Sequence, residues 1–555
     1  MTTPVPPEGA LPPPGCPAHV PAASGTPAAP ARPRPDYSGV PAPEGRDPAT
    51  EVDNPNIGPG RARRLNGPDA ERDQQGLYDT LRLEYGEVAP VLLPRDVPAW
   101  LVLGHEENRF VCAHPELFTT DGREWRLLQD GTVGPDHPMA PIFMWQPVCA
   151  FVEGEEHERL RKPLEENLRV IDLRELRRLV QTGTYTLLND LCEEGFCDLT
   201  EDYCERLPMI VLLGLFGMSH LYDDRFLEAA RDLIKGTETA NASNEHLMKL
   251  FRAEVERARE EPGDNLPSQL LAHPAGMSPR EVSEHLRIVL IAAYETTANL
   301  LANAMRILLV QMEVRGRVGA GRLNIYEAIE QALWDEPPFS AMLGRYALQD
   351  VELGGRRIRK GDAVMLGYAA GNVDTRVRPE LDAPVRDNRS HLAFGRGPHA
   401  CPGQYLGRQL CQLALDDLLA WFPDMRLAVP SAQLRWSGSL LSRHLVELPV
   451  RFEPRSQRDE ESIGTFGVPL PKGVNLFSSS EEEQDLMPVE VPEGILEAER
   501  KAGEWRAAKK RRERAERDGG GGAAEPLPVE ATAGGAESGA LLPPPRRPLG
   551  AWLRR

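Results

Sequence analysis

Residues 278–311 limit the architecture of this chain more than any other stretch. Ser278 stands where a helix N-cap belongs, Pro279 suits the first helical position, and Glu281 completes a capping box. The apolar run Ile288-Val-Leu-Ile-Ala-Ala continues through Ala298, Leu300, Leu301, Ala304, Met305 and Leu308. A helix of about thirty residues that is apolar on most faces is buried on most faces, so it must cross the middle of a large domain. Near its centre lies a polar island, Tyr294-Glu295-Thr296-Thr297. Polar groups in such a place are costly when unsatisfied, so each is either paired or functional.

Apolar periodicity predicts further helices near residues 69–85, 107–117, 155–168, 173–194, 200–217, 223–235, 244–260, 325–335 and 403–421. Short extended runs fall at 89–93, 99–103, 345–348, 351–353, 356–358, 363–368 and 446–452. The fold class is therefore mainly α with small β-sheets. Residues 120–150 form a long proline-containing loop of the kind that more often binds something than merely connects. Residues 1–65 are rich in Pro and Ala and read as a disordered extension. Residues 456–555 read as a largely disordered charged tail with one helix expected over 493–518.

A formal charge of −20 argues against nucleic-acid binding. The longest uninterrupted apolar stretch, Pro208 to Met218, is about half of what a membrane span needs, so no span is expected. Eight cysteines in 555 residues are too sparse for a disulfide framework, and no secretory pattern opens the sequence. A cytoplasmic protein is expected. Cys192, Cys197 and Cys204 suit no common zinc spacing and are expected to be plain thiols.

The chemistry concentrates in Phe394-Gly-Arg-Gly-Pro-His-Ala-Cys401-Pro-Gly403. From this chain's own composition, Phe, three Gly, His and Cys at those six positions arise by chance with a probability of roughly 5 × 10⁻⁹ per start, so the arrangement is not accidental. Glycines there let the backbone turn tightly and approach a flat ligand. Cys401 lies just ahead of the 403–421 helix, whose N-terminal partial charge favours a thiolate. A thiolate so placed can serve as an axial ligand to haem iron.

This segment resembles the haem-binding loop of the cytochrome P450 superfamily, and the resemblance covers about residues 66–455. It implies a P450-like triangular prism fold and haem b (iron protoporphyrin IX), with Cys401 as axial iron ligand and Phe394, Gly395 and Gly403 shaping the loop. The island at 292–297 resembles the family's acid–alcohol pair, which implies that Thr296 steadies bound dioxygen and Glu295 relays protons. His157-Glu-Arg-Leu-Arg161, Arg345 and His399 resemble the family's propionate contacts. The implied activity is a monooxygenase inserting one oxygen atom from O₂ into a small apolar substrate. Electrons would come from a ferredoxin-type donor with its reductase, docking on a basic patch of Arg159, Lys162, Arg396 and Arg408. Order and spacing are similar to soluble actinobacterial members.

Two positions depart from the family pattern. Gln331 and Trp334 stand where a Glu-x-x-Arg pair normally joins a third arginine, here Arg386, to brace the cysteine loop; a small group of Streptomyces-type members is similar in lacking that pair. Gln331 is expected to bond Arg386, and Trp334 to fill the volume. Ala293 replaces a common glycine, and Tyr294 beside it is expected to reach the distal pocket. These departures, with the long C-terminal segment, support an alternative: a haem-binding regulatory or interaction protein with weak or no turnover, docking a protein partner through its tail.

Overall fold

Ser278 Oγ accepts from the Glu281 amide at 3.3 Å while Glu281 Oε2 accepts from the Ser278 amide at 2.7 Å, which is the expected capping box. In the computed structural model the helix it starts runs Pro279–Arg315. The structure describes residues 51–53, 61–65, 73–137, 139–235, 239–315, 324–381, 385, 388–438 and 441–458. The expected helix at 493–518, the C-terminal tail and Arg386 lie outside them.

In chain order the main helices are α1 (Gln74–Tyr85), α2 (His105–Ala113), α3 (Gly154–Arg169), α4 (Leu173–Leu191) and α5 (Arg206–Leu215). They are followed by α6 (Asp224–Lys235), α7 (Ala240–Glu260), α8 (Pro279–Arg315), α9 (Ile325–Asp335) and α10 (Gln404–Trp421). Helix α8 packs against α5, α7, α9 and α10, burying Leu290, Leu301, Ala304 and Met305 in the largest apolar cluster. By length and composition Pro279–Val310 could also cross a membrane, a property the short run at 208–218 did not register; here it is a core helix.

Among the described residues, seven strands form the largest sheet: β1 (Glu51–Asp53), β2 (Arg61–Arg64), β3 (Val88–Leu93), β4 (Val97–Val102), β5 (Phe118–Thr119), β6 (Met342–Ala347) and β7 (Ala363–Leu366). Their order is β1-β2-β3-β4-β7-β6-β5, with β2/β3 and β4/β7 parallel and the other pairs antiparallel. Small two- and three-stranded sheets complete a mainly helical fold.

The expectation that disorder extends through residue 65 is corrected here. β2 continues the sheet beside β3, Ala62 and Leu65 are buried, and Arg63 and Arg64 pair with Glu84 at 3.0 Å and Asp96 at 2.6 Å. Four residues inside a Pro/Gly-rich window carry no visible period. Their order comes from a neighbouring strand edge, which local composition does not report.

The 120–150 loop is also less plain than expected. It holds single turns of helix at Gly122–Glu124, Arg126–Gln129, Ala140–Phe143 and Cys149–Phe151.

Candidate functional site

The cysteine loop connects the sheet side of the molecule to α10. Gly397 takes φ 69°, and a Cβ there would lie 2.2 Å from the Cys112 carbonyl oxygen, so only glycine lets the loop press on α2. Gly395 is likewise left-handed at φ 64°. The loop closes on itself through the Cys401 amide, which donates to Phe394 O at 2.8 Å.

Cys401 then sits directly before α10, with the Gly403 amide hydrogen-bonded to its sulfur. Burial nevertheless pushes this thiol up, against the opposing pull of Gly403, Arg161 and Arg408. The helix terminus acts in the predicted direction, but on its own it does not produce a thiolate.

Four predicted contacts surround this loop. The His157 and His399 rings lie 4.4 Å apart, and Arg161 donates to Ala400 O. Burial, reinforced by His399 and Arg161, lowers the His157 imidazole to about 4. Its Nε2 is buried with no hydrogen-bond partner among the described residues. Arg345, 8 % exposed on β6, donates to Gly344 O at 2.9 Å and has no carboxylate partner among the described residues. A buried guanidinium without a counter-ion is strongly unfavourable.

The cluster therefore fits a ligand bearing carboxylates. Arg161 Nε also donates to Glu165 Oε1 at 2.9 Å, and His399 is engaged as well. Its Nε2 lies 2.8 Å from Glu153 Oε2, whose other oxygen accepts from the Thr120 amide at 2.9 Å and the Thr120 hydroxyl at 3.0 Å. Sequence reasoning missed Glu153; its place just before α3, four residues ahead of His157, was the available signal.

On α8 the polar island divides. Ala292 is exposed and Ile288, Ala293 and Thr296 are half-buried at the middle of an otherwise buried helix. Ile288, Ala292 and Thr296 stand four residues apart, so one stripe of the helix borders open space. The Thr296 hydroxyl donates to Ala292 O at 2.7 Å. Glu295 accepts from the Ser442 hydroxyl at 2.9 Å, a partner supplied just before the short strand Arg443–Leu445.

Tyr294 corrects the expectation that it reaches a distal pocket. It is 2 % exposed and packs by Arg231 and Glu205, which form an ion pair.

The expected bond from Gln331 to Arg386 lies outside the described residues, which show other partners of Gln331. Gln331 Oε1 accepts from the Val385 amide at 3.1 Å and its Nε2 donates to Asp335 at 2.6 Å. Trp334 is fully buried, as expected, and its Nε1 donates to Asn388 O at 2.8 Å. The expected donor-facing cation patch is reduced. Arg408 turns inward to Glu330, Arg159 is held by Glu156 and Glu281, and Lys162 remains 68 % exposed.

Cys192, Cys197 and Cys204 are buried free thiols.

Residues 336–424 match the Cytochrome P450 family. A vitamin D(3) 25-hydroxylase from Pseudonocardia autotrophica is 31% identical over 387 residues, covering 68% of this chain and 94% of that protein. A 2-hydroxy-5-methyl-1-naphthoate 7-hydroxylase from Streptomyces carzinostaticus is 29% identical over 68% of this chain and 95% of its own length. The solved structure of CYP154C4 from a Streptomyces species superposes with a TM-score of 0.63 at 29% identity, over 69% of this chain and 96% of that one. A glycine-turned cysteine loop and a buried Arg345 with no carboxylate partner among the described residues, on a scaffold that spans nearly the full length of such hydroxylases, make this chain a member of the cytochrome P450 family and its cofactor haem.

Proposed function

We propose that this protein is a haem-thiolate monooxygenase that inserts one oxygen atom from O₂ into a small apolar organic substrate. The observation that carries the reading is the pairing of Cys401, under the Gly403 amide, with a buried Arg345 that has no carboxylate partner among the described residues. Arg345, His157 and Arg161 would hold the propionates, with His399 as a fourth contact shared with Glu153. Phe394, Gly395 and Gly403 would shape the loop that presents the Cys401 sulfur to the haem iron. Haem, once bound, supplies the iron that activates O₂ and itself deprotonates a coordinating thiol.

The rest is the work of the chain. Ile288, Ala292 and Ala293 would give the substrate an apolar wall and exclude water. The Thr296 hydroxyl, satisfied by Ala292 O, is a proton donor and acceptor on that wall. Glu295, held by Ser442, would pass protons toward it from the far side of α8. The named reactions of the relatives, hydroxylation of a naphthoate and of vitamin D(3), support an organic substrate with a large apolar surface.

Electrons would arrive from a ferredoxin-type donor and its reductase in the cytoplasm. The haem-thiolate domain expected over 66–455 would extend N-terminally to take in β2, leaving the C-terminal segment for a protein partner.

The regulatory alternative drew on Gln331 and Trp334, and both have satisfied hydrogen bonds. The test is the reduced, carbon-monoxide-bound absorption spectrum, followed by substrate-dependent O₂ consumption with a surrogate ferredoxin and reductase. Cys401→Ala should abolish the thiolate-type spectrum; its persistence would overturn the assignment.

A further inference from the structure

The family's usual bracing pair is absent at 331 and 334, yet a buried carboxylate stands one residue away. Glu330 is 4 % exposed on α9. Its Oε1 accepts from Arg408 Nε at 2.6 Å, and Arg408 belongs to α10, the helix that follows Cys401. Its Oε2 lies 3.5 Å from Nε2 of His391, which is 3 % exposed on the segment leading into the cysteine loop. The Ala393 amide donates to His391 Nδ1 at 3.3 Å, and Arg408 Nη2 lies 3.2 Å from His391 Nε2, so the imidazole sits against both Arg408 and Glu330. One carboxylate thus holds a cation after the loop, and that cation reaches the imidazole before it.

Both partners also touch the loop itself. The Arg408 guanidinium lies 4.4 Å from the centre of the Phe394 ring, and the His391 ring is 5.8 Å from the same ring. Phe394 O accepts from the Cys401 amide. On the other side Trp334 meets His391 edge-on at 5.9 Å. Gln331, in the position where the pair's glutamate would stand, reaches Val385 and Asp335 among the described residues.

We propose that Glu330, through Arg408 and His391, is a positioning residue that fixes Phe394 and the Cys401 loop in this chain. It acts through other residues and touches neither cofactor nor substrate. Outer partners that orient a metal ligand are typically worth about 10–100-fold in metal affinity or activity. The inference rests on the reading of Cys401 as the axial ligand.

The test uses the full-length haem-loaded protein. It compares Glu330→Gln, Arg408→Gln, both together, and Gln331→Ala. Readouts are the share of thiolate-type reduced carbon-monoxide spectrum, the haem midpoint potential, and the rate of haem transfer to an acceptor globin.

Glu330→Gln should transfer haem roughly tenfold faster or more and lose part of the thiolate-type spectrum. The double variant should be less damaging than the two single effects summed, because each single change orphans one buried charge and the double change orphans none. Gln331→Ala should stay within about twofold of wild type.

Wild-type spectrum, potential and transfer rate in Glu330→Gln, or equal damage from Gln331→Ala, would overturn the proposal. If Glu330→Gln gives no folded protein, Arg408→Lys reads the same contact while keeping the charge: faster transfer and a shifted potential support the brace, and wild-type values sink it. Loss of the thiolate-type spectrum in Cys401→Ala alongside an unaffected Glu330→Gln defeats the brace alone. Its retention in Cys401→Ala defeats the axial-ligand reading beneath it.

Discussion

The Ser442 hydroxyl donates to Glu295 Oε1 at 2.9 Å, which ties the acid beside Thr296 to a segment 147 residues further along the chain. Ser442 is 1 % exposed, so this bond is made away from bulk water. The Glu295 carboxylate on α8 is therefore oriented by a neutral hydroxyl.

Ser442→Ala should free Glu295 to turn while leaving the cysteine loop intact. The loss of one such bond costs roughly 1–3 kcal/mol when the partner is charged or buried. We expect a thermal midpoint lowered by a few degrees, an unchanged reduced carbon-monoxide spectrum, and less product formed per O₂ consumed. Ser442→Thr, which keeps the hydroxyl, should recover coupling. Full coupling in the alanine variant would show that Glu295 does not need this donor.

Trp334→Arg should be severe. The indole is fully buried, donates to Asn388 O at 2.8 Å, and lies 5.9 Å from the Arg378 guanidinium. Loss of a core aromatic typically costs about 3–5 kcal/mol, and a second buried cation beside Arg378 adds repulsion. Trp334→Phe keeps most of the volume and leaves only the Asn388 carbonyl unpaired, for about 1–3 kcal/mol. Denaturant unfolding of both variants checks the ranking. A neutral Trp334→Arg would mean that position 334 carries no packing load.

The N-terminal boundary makes a third prediction. Deleting residues 1–50 leaves β1 and β2 in place. Deleting 1–65 removes both strands, the partners of Glu84 and Asp96, and the apolar contacts of Ala62 and Leu65, and uncovers the edge of β3. The longer deletion should lower the thermal midpoint and raise aggregation, whereas the shorter one should not. Equal midpoints would mean that β2 contributes nothing to the sheet.

These cases show what was legible in the sequence. The capped core helix and the cysteine loop are local patterns: Ser278 and Glu281 announce themselves by spacing, as does the residue order from Phe394 to Gly403. The helix at Ile325–Asp335 was found to the residue because its apolar period is clean. What stayed hidden is tertiary. The strands Trp436–Gly438 and Arg443–Leu445 are three residues each, too short to show alternation, so Ser442 gave no sign of meeting Glu295. Arg408 read as a surface cation because nothing in its neighbourhood says that Glu330, 78 residues earlier, waits inside.

The last prediction concerns acid. Burial pushes the Glu330 carboxyl up, but hydrogen bonds and charge from His391 and Arg408 outweigh it and bring the group down to about 2, from an ordinary value of 4.5. Between those values the unfolded chain takes up a proton that the folded chain does not, so acid favours unfolding. The stabilisation is complete above about pH 4.5 and disappears as pH falls through 2. A shift of that size corresponds to about 3 kcal/mol. Asp198 works in the opposite sense. Burial raises it to about 6, so it holds its proton in the folded state and loses stability as pH climbs from 3.8 through 6. Stability against pH in the wild type alone therefore mixes the two. The difference between wild type and Glu330→Gln isolates the Glu330 contribution, because Asp198 is common to both. Unfolding free energies measured from pH 5 down to 2.5 should show the gap between the two proteins closing as pH drops. A gap that stays constant over that range would show that Glu330 carries no charge-dependent load.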